Sequence, residues 1–322
     1  MISFWLLAMQ TVFLDQQTFS ASISLTRIKS QVSTLSCYAT TTNIQIIERC
    51  KMAEIIITNK VLLSKNILEQ LPQLKLVCIA ATGMNNVDLV AAKALNIAVK
   101  NVSGYSQASV SQYVFAQMLE YFSNTAHHNI NTQQGHWQNS ATFCFHGKGS
   151  QELAGKTIGI IGFGNLGKAV AKIAQAFDMH VMIAERPNAI KIRENRHSFT
   201  EVLNKADVIS LHCPQTEETI NLINSETLAL MKPSALLINT ARGALVNSAD
   251  LLQALKNKII SHAVLDVLEH EPPTVSHPLI NALIKKEIDN LSITAHIAWA
   301  SIESQQRLID LVALNIKNYK AV

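Results

Sequence analysis

The chain has 322 residues, 48% hydrophobic and 16% charged, with a formal net charge of +4. That length allows two domains, and that balance is the one a soluble globular protein with a sizeable core has. Lys and Arg are scattered and the net charge is small, which excludes a nucleic-acid footprint. Cys37, Cys50, Cys78, Cys144 and Cys213 lie far apart without a C-x-x-C pattern. This argues for a reducing, cytoplasmic compartment and against a zinc site or a disulfide framework. Residues 1–8 are apolar but lack a basic n-region and lead straight into a strand, so they read as an N-terminal extension, with Met9 a plausible start. No run reaches the ~18 apolar residues that a membrane span needs.

From Thr11 to Val99 short apolar strands alternate with helix-like segments. Strands are predicted at 11–14, 31–36, 54–58, 74–79 and 97–99, and helices near 22–29, 43–51, 64–70 and 88–95, the last ending at Asn96. Such alternation implies a parallel sheet covered on both faces. Two loops follow strands, Thr58-Asn59-Lys60 and the turn-rich 80–88. Ligands of open α/β sheets bind beyond the carboxyl ends of strands, so both are candidate substrate loops, or else ordinary connections.

A crossover at 101–105 leads to a predicted helix over 109–122. The polar run 123–149 then reads as an irregular arm of the kind that wraps a partner subunit, and a homodimer is the expectation. Its histidines His127, His128, His136 and His146 have no metal-binding frame and read as solvated or packed.

The centre of the second half is Lys156-Thr157-Ile158-Gly159-Ile160-Ile161-Gly162-Phe163-Gly164-Asn165-Leu166-Gly167. It reads as a buried strand, a glycine turn and the start of a helix. The first glycine makes the tight turn, the second lets backbone approach a pyrophosphate, and the third lets helix pack on strand. The next strand, 180–184, ends in Glu185, about 20 residues on, where a carboxylate can bind the adenosine ribose hydroxyls and repel a 2′-phosphate. Adjacent Arg186 leaves room for NADP tolerance beside NAD. Further strands are predicted at 207–211, 235–239, 261–265 and 291–294, with helices at 165–177, 225–230 and 248–256.

Arg242, Glu271 and His296 each fall just past one of these strands, on the sheet edge that carries the glycine turn. Reducing a ketone by hydride transfer needs a proton donor tuned near neutral pH, a cation for the substrate carboxylate and carbonyl, and a group that orients the imidazole. Histidine, arginine and a carboxylate are the side chains for those tasks.

With these residues in view the sequence resembles the D-isomer-specific 2-hydroxyacid dehydrogenases. The resemblance rests on Leu153 to Gly167, on Met231-Lys232-Pro233 through Ile238-Asn239-Thr240-Ala241-Arg242-Gly243, on Leu265-Asp266-Val267-Leu268-Glu269-His270-Glu271-Pro272, and on Ala295-His296-Ile297-Ala298-Trp299-Ala300-Ser301. It runs from about Thr11 to the C-terminus. Residues 57–61, 80–88, 101–106 and 298–300 make it most similar to the glycerate dehydrogenase (hydroxypyruvate reductase) branch.

The resemblance implies two doubly wound parallel-sheet α/β domains with a cleft between them. A flavodoxin-like substrate (catalytic) domain would hold 1–102 and 297–322, and a Rossmann NAD-binding domain 103–296. Hinges would lie near 101–104 and 295–298. His296 is implied as acid/base, Glu271 as its partner and Arg242 as the substrate anchor. Asn59 and the Thr82-Gly83-Met84 loop would share the substrate. Gly162, Gly164, Asn165, Leu166 and Gly167 would meet the pyrophosphate and Glu185 the ribose; Cys213, Pro214 and Thr219 would flank the cofactor; Thr240, Ala241, Arg242, Asp266, His296 and Ala298 would line its nicotinamide end.

The implied activity is reduction of hydroxypyruvate to D-glycerate with NADH, with glyoxylate as a further substrate and with no metal, nucleic acid or membrane partner. Another small 2-ketoacid is the alternative substrate, and a nicotinamide-sensing corepressor-like interaction protein the alternative class. Three features depart from the family: Tyr113 stands where a histidine is common, Glu185 replaces the commoner aspartate, and residues 1–8 have no counterpart.

Overall fold

The computed structural model describes residues 9–320, so the extension read at 1–8 lies outside them. The chain divides into two compact units. One ends at Ser106 and resumes at Trp299; the other is Gln107–Ala298.

Among the described residues, the first unit has a five-stranded parallel sheet of β1 (Gln10–Phe13), β2 (Thr34–Cys37), β3 (Ile55–Thr58), β4 (Leu76–Ile79) and β5 (Ala98–Lys100), in the order β2-β1-β3-β4-β5. The strand order reverses between β1 and β3, and the carboxyl end of β3 carries the 58–61 loop. β3 is buried throughout, and apolar up to Thr58, because both of its faces are covered. Ile56 packs with Val12, Ile46 and Ile79 on one side. Ile55 and Ile57 pack with Phe13 on the other, against Leu308, Ile309, Val312, Ala313 and Ile316 of the helix Ile302–Lys320. Those five positions form one stripe of a 3.6-residue period.

Two local expectations change here. The strand predicted from 31 begins at Thr34, because Gln31 is still in the turn that closes the helix Thr26–Lys29, its N–H donating to Ile28. That helix in turn starts later than 22, since the Ser24 hydroxyl bonds locally to Thr26 and competes with the helical ladder. The end at Asn96 has the left-handed conformation of a C-terminal cap, φ 57°.

The second unit has, among the described residues, a six-stranded parallel sheet of β6 (Thr157–Ile161), β7 (His180–Ile183), β8 (Val208–Leu211), β9 (Leu236–Asn239), β10 (His262–Leu265) and β11 (Leu291–Ile293). Their order is β11-β10-β9-β8-β6-β7. The reversal falls between β6 and β8. Both faces are again buried: Leu236 and Ile238 pack with Ile160 and Val264, whereas Leu237 packs with Leu211 and Leu265. The helix Gln107–Ser123 places Val114, Phe115 and Met118 in the first of these clusters.

The run 123–149 is not wholly irregular. It contains a helix, Thr125–Gln133, which is polar on nearly every face and so shows no period in sequence. The Glu120 carboxylate holds its first turn, accepting from the Thr125 hydroxyl at 2.6 Å and from the Ala126 N–H at 3.2 Å. Beyond it Trp137 and Phe143 are exposed. Two further helices, Phe199–Lys205 and Pro278–Ile284, add to the predicted set. The first had a readable signal, Ser198 three residues before Glu201, and Ser198 does cap the Glu201 N–H. No helix among the described residues is long and apolar enough to cross a membrane.

Candidate active site

The glycine turn joins β6 to the helix Asn165–Ala176 at the point where strand order reverses. Gly162 has φ 97°, and a Cβ there would lie 2.4 Å from the Cys213 backbone nitrogen, so turn and β8 loop are pressed together. At Gly167 a Cβ would meet the Gly162 carbonyl oxygen at 2.2 Å, which is why helix can lie on strand. Gly164 is different: its Cβ would have no atom within 4 Å. That open side, next to helix N–H groups without intrahelical partners, is suited to a phosphate.

Thr219 folds the loop after β8, accepting from the Thr216 N–H at 2.7 Å and donating to the Pro214 carbonyl at 2.8 Å. Burial pushes the Cys213 thiol up to about 11, which disfavours its thiolate at neutral pH.

Glu185 follows β7 and is buried. Its carboxylate is taken by Arg193, whose Nε donates to Oε2 at 2.6 Å and whose Nη2 donates to Oε1 at 2.5 Å. The Arg193 side chain, then the Arg186 N–H, hold the Glu185 carboxyl at about 2, below its usual range.

Three loops at the adjacent carboxyl ends of β9, β10 and β11 carry Arg242, Glu271 and His296. The strands are in register, Asn239 beside Leu265 and Leu265 beside Ile293. Asn239 fixes the first loop: its Oδ1 accepts from the Ala241 N–H at 3.0 Å and its Nδ2 donates to the Arg242 carbonyl at 2.8 Å. Within that loop the Thr240 hydroxyl is buried and has no hydrogen-bond partner among the described residues. Gly243 then abuts the backbone of Leu268 and Glu269. Glu271 accepts the Leu268 N–H on Oε1 at 2.9 Å, while its Oε2 lies 2.6 Å from His296 Nδ1. A carboxylate on Nδ1 orients the imidazole and leaves Nε2 as the nitrogen available to a reacting atom.

His296 itself has φ 54°, an uncommon left-handed conformation for a residue with a side chain. Asp266 imposes it. The Asp266 carbonyl accepts the His296 N–H at 2.8 Å, and its buried carboxylate accepts the N–H groups of Ile297 and Ala298 at 2.8 and 2.9 Å. The Thr294 hydroxyl donates to Asp266 at 2.6 Å, which leaves Tyr113 as the donor to Thr294, also at 2.6 Å. Burial pushes the Asp266 carboxyl up, against these hydrogen bonds, which lower it. Ser109 completes the clamp by donating to the Ala298 carbonyl at 2.7 Å. The Asp266 carboxylate is thus used to shape the histidine loop, a role that sequence reading missed because its partners lie about thirty residues on. Tyr113 is the outer end of this chain of bonds.

In the first unit, Asp15 organises the loop with Asn59. Its carboxylate accepts from the Thr58 hydroxyl at 3.2 Å and from the N–H groups of Asn59, Lys60 and Val61, the shortest at 2.7 Å. Asn59 Nδ2 donates to Thr18 at 3.1 Å. Thr82 donates to the Val102 carbonyl at 3.0 Å, and Asn101 donates to the Thr82 carbonyl at 2.7 Å, which fixes the entry to Gly83 and Met84. Trp299 packs edge-on to Phe19 and Tyr105, with ring centroids 5.7 and 6.1 Å apart. Asp15 was the missed residue here; its signal was an acid ending an apolar strand.

Residues 115–298 match the model of the D-isomer specific 2-hydroxyacid dehydrogenase, NAD binding domain. A glycerate dehydrogenase of Methylorubrum extorquens is 38% identical over 312 residues, covering 97% of this chain and 96% of that one. A hydroxypyruvate reductase of Blautia hydrogenotrophica is 37% identical over 278 residues, 85% of this chain and 84% of its own. Among solved structures, a D-lactate dehydrogenase from Aquifex aeolicus complexed with NAD and lactic acid is 28% identical, with a TM-score of 0.79 over 97% of this chain and 96% of that one. The chain belongs to the D-isomer-specific 2-hydroxyacid dehydrogenase family. It is an NAD-dependent oxidoreductase built of two parallel-sheet α/β units, the second of them the NAD-binding one.

Proposed function

We propose that the chain reduces hydroxypyruvate to D-glycerate, with His296 as the acid. The observation that carries this reading is the Glu271–His296 pair, 2.6 Å apart, on loops in register with the one that presents Arg242. The residues present fit a dinucleotide: an open side at Gly164, a helix start at Asn165 and Leu166, and a buried Thr240 hydroxyl without a partner among the described residues. NADH, when bound, supplies the hydride that reduces the substrate carbonyl carbon.

The chain's own groups do the rest. His296 Nε2 gives its proton to the carbonyl oxygen as negative charge develops there, and Glu271 stabilises the imidazolium that does so. Arg242 holds the substrate carboxylate as a planar fork and polarises the carbonyl. Asn59 and the Thr82–Met84 backbone are further substrate ligands in this reading. The substrate choice is supported by relatives named for glycerate and hydroxypyruvate.

Following NADH absorbance with hydroxypyruvate, glyoxylate and pyruvate in turn tests the substrate. Hydroxypyruvate is expected to give the highest kcat/KM. A higher value with pyruvate or a bulkier 2-ketoacid would replace it while leaving the reaction class in place. We further propose a homodimer, supported by the exposed Trp137 and Phe143 of the 123–149 run. Sedimentation is expected to show twice the chain mass, and a monomer at micromolar concentration would overturn this.

A further inference from the structure

The segment after β7 leaves the sheet and comes straight back. The Glu185 N–H donates to the His197 carbonyl at 2.8 Å, and the His197 N–H to Ile183 at 2.9 Å. The loop so closed carries Arg186, Lys191, Arg193 and Arg196 against a single acid, Glu194. Glu185 sits at its base.

A carboxylate offers about four acceptor positions on its two oxygens. Glu185 has filled them. Oε1 accepts the Arg186 N–H at 2.9 Å and Arg193 Nη2; Oε2 accepts Arg193 Nε at 2.6 Å and, at 3.4 Å, the Arg193 N–H. Arg196 Nε stands 4.0 Å from Oε2. An acid at the end of this strand discriminates between coenzymes only if its charge and lone pairs face the ribose. Here the charge is neutralised by a fork, and the fork uses two of the five N–H groups of the guanidinium. The planar geometry directs the other three away from the carboxylate. The Arg193 side chain is 56% exposed, so it is the outer partner of the pair.

We propose that Arg193 sets the coenzyme preference: held on Glu185, it presents a cation at the adenosine-ribose position, so the chain accepts a 2′-phosphorylated coenzyme as well as NADH. This rests on the reading of Glu185 as the ribose-side residue. A 2′-phosphate takes up the outward N–H groups of Arg193, with Arg196 beside it. An unphosphorylated ribose instead exchanges its hydroxyls for the Arg193 fork on Glu185.

Calorimetric titration of the full chain with adenosine 2′,5′-bisphosphate and with 5′-AMP reads this without turnover. The wild-type chain is expected to bind the bisphosphate at least as tightly as AMP. Arg193→Gln should weaken the bisphosphate about tenfold, the scale of one charge-assisted phosphate contact, and leave AMP unchanged or tighter. Arg193→Lys, which keeps the charge without the fork, should fall between. The kcat/KM ratio of NADPH to NADH should move in the same order. Equal loss of both nucleotides in Arg193→Gln, or a wild-type chain that binds only AMP, would overturn the proposal while leaving the nucleotide site intact. Failure of the wild-type chain to bind either nucleotide, or NADH, would overturn the ribose-side reading on which it stands.

Discussion

Replacing His296 with asparagine is expected to lower kcat for 2-ketoacid reduction by about 10²–10⁴-fold, the usual worth of a positioned general acid. Asparagine is the cleaner choice over alanine here. His296 sits at φ 54°, a conformation that asparagine adopts readily and alanine does not. Its amide can also donate to Glu271 Oε2 where Nδ1 does now. The variant therefore keeps the loop and the hydrogen bond and removes only the transferable proton. His296→Ala should lose as much activity, with some loop strain added. NADH binding, read by fluorescence titration, should persist in the asparagine variant. A kcat within threefold of the parent would remove His296 from the acid's role.

Gly243→Ala is expected to damage both stability and catalysis, although the change is one methyl group. The added carbon would lie 1.8 Å from the Leu268 carbonyl carbon and 2.2 Å from the Glu269 nitrogen. Those are backbone atoms and cannot swing aside as a side-chain end can. Overpacking of this kind costs about 1–3 kcal/mol or more. For a unit the size of Gln107–Ala298 each kcal/mol shifts Tm by roughly 2–4 °C, so a fall of about 2–12 °C is expected by scanning calorimetry. The loops that must part are those of Arg242 and Glu271, and kcat/KM should fall with them. An unchanged Tm together with unchanged kinetics would show that the two loops are not pressed together as described.

Much of this was legible in sequence because the signals were local. The glycine spacing, the acid after the second strand, and Arg242, Glu271 and His296 just past apolar runs can all be counted along the chain. Unbroken runs such as Ile55-Ile56-Ile57 also betray strands covered on both faces. What stayed hidden depends on distance. Asp15 spends its carboxylate on backbone N–H groups more than forty residues away, and Asp266 on a loop about thirty residues away. Neither pairing has a spacing rule. Arg193 reaches Glu185 across a loop whose path no propensity specifies. The helix Thr125–Gln133 is polar nearly all round, so the period that reveals other helices is missing.

The seating of Ile302–Lys320 against the first sheet has a consequence for how the molecule is made. Phe13, Ile55, Ile57 and Leu76 are ready early, yet the residues that cover them, Leu308 to Ile316, come after the whole of Gln107–Ala298. At about 5–20 residues per second, synthesis of that insertion keeps one face of the early sheet open for roughly 10–40 s. The inserted unit has no such debt to the C-terminus and can close on itself first. On the ribosome the order of completion is therefore inside before outside, with the interrupted unit the last to cover its apolar face.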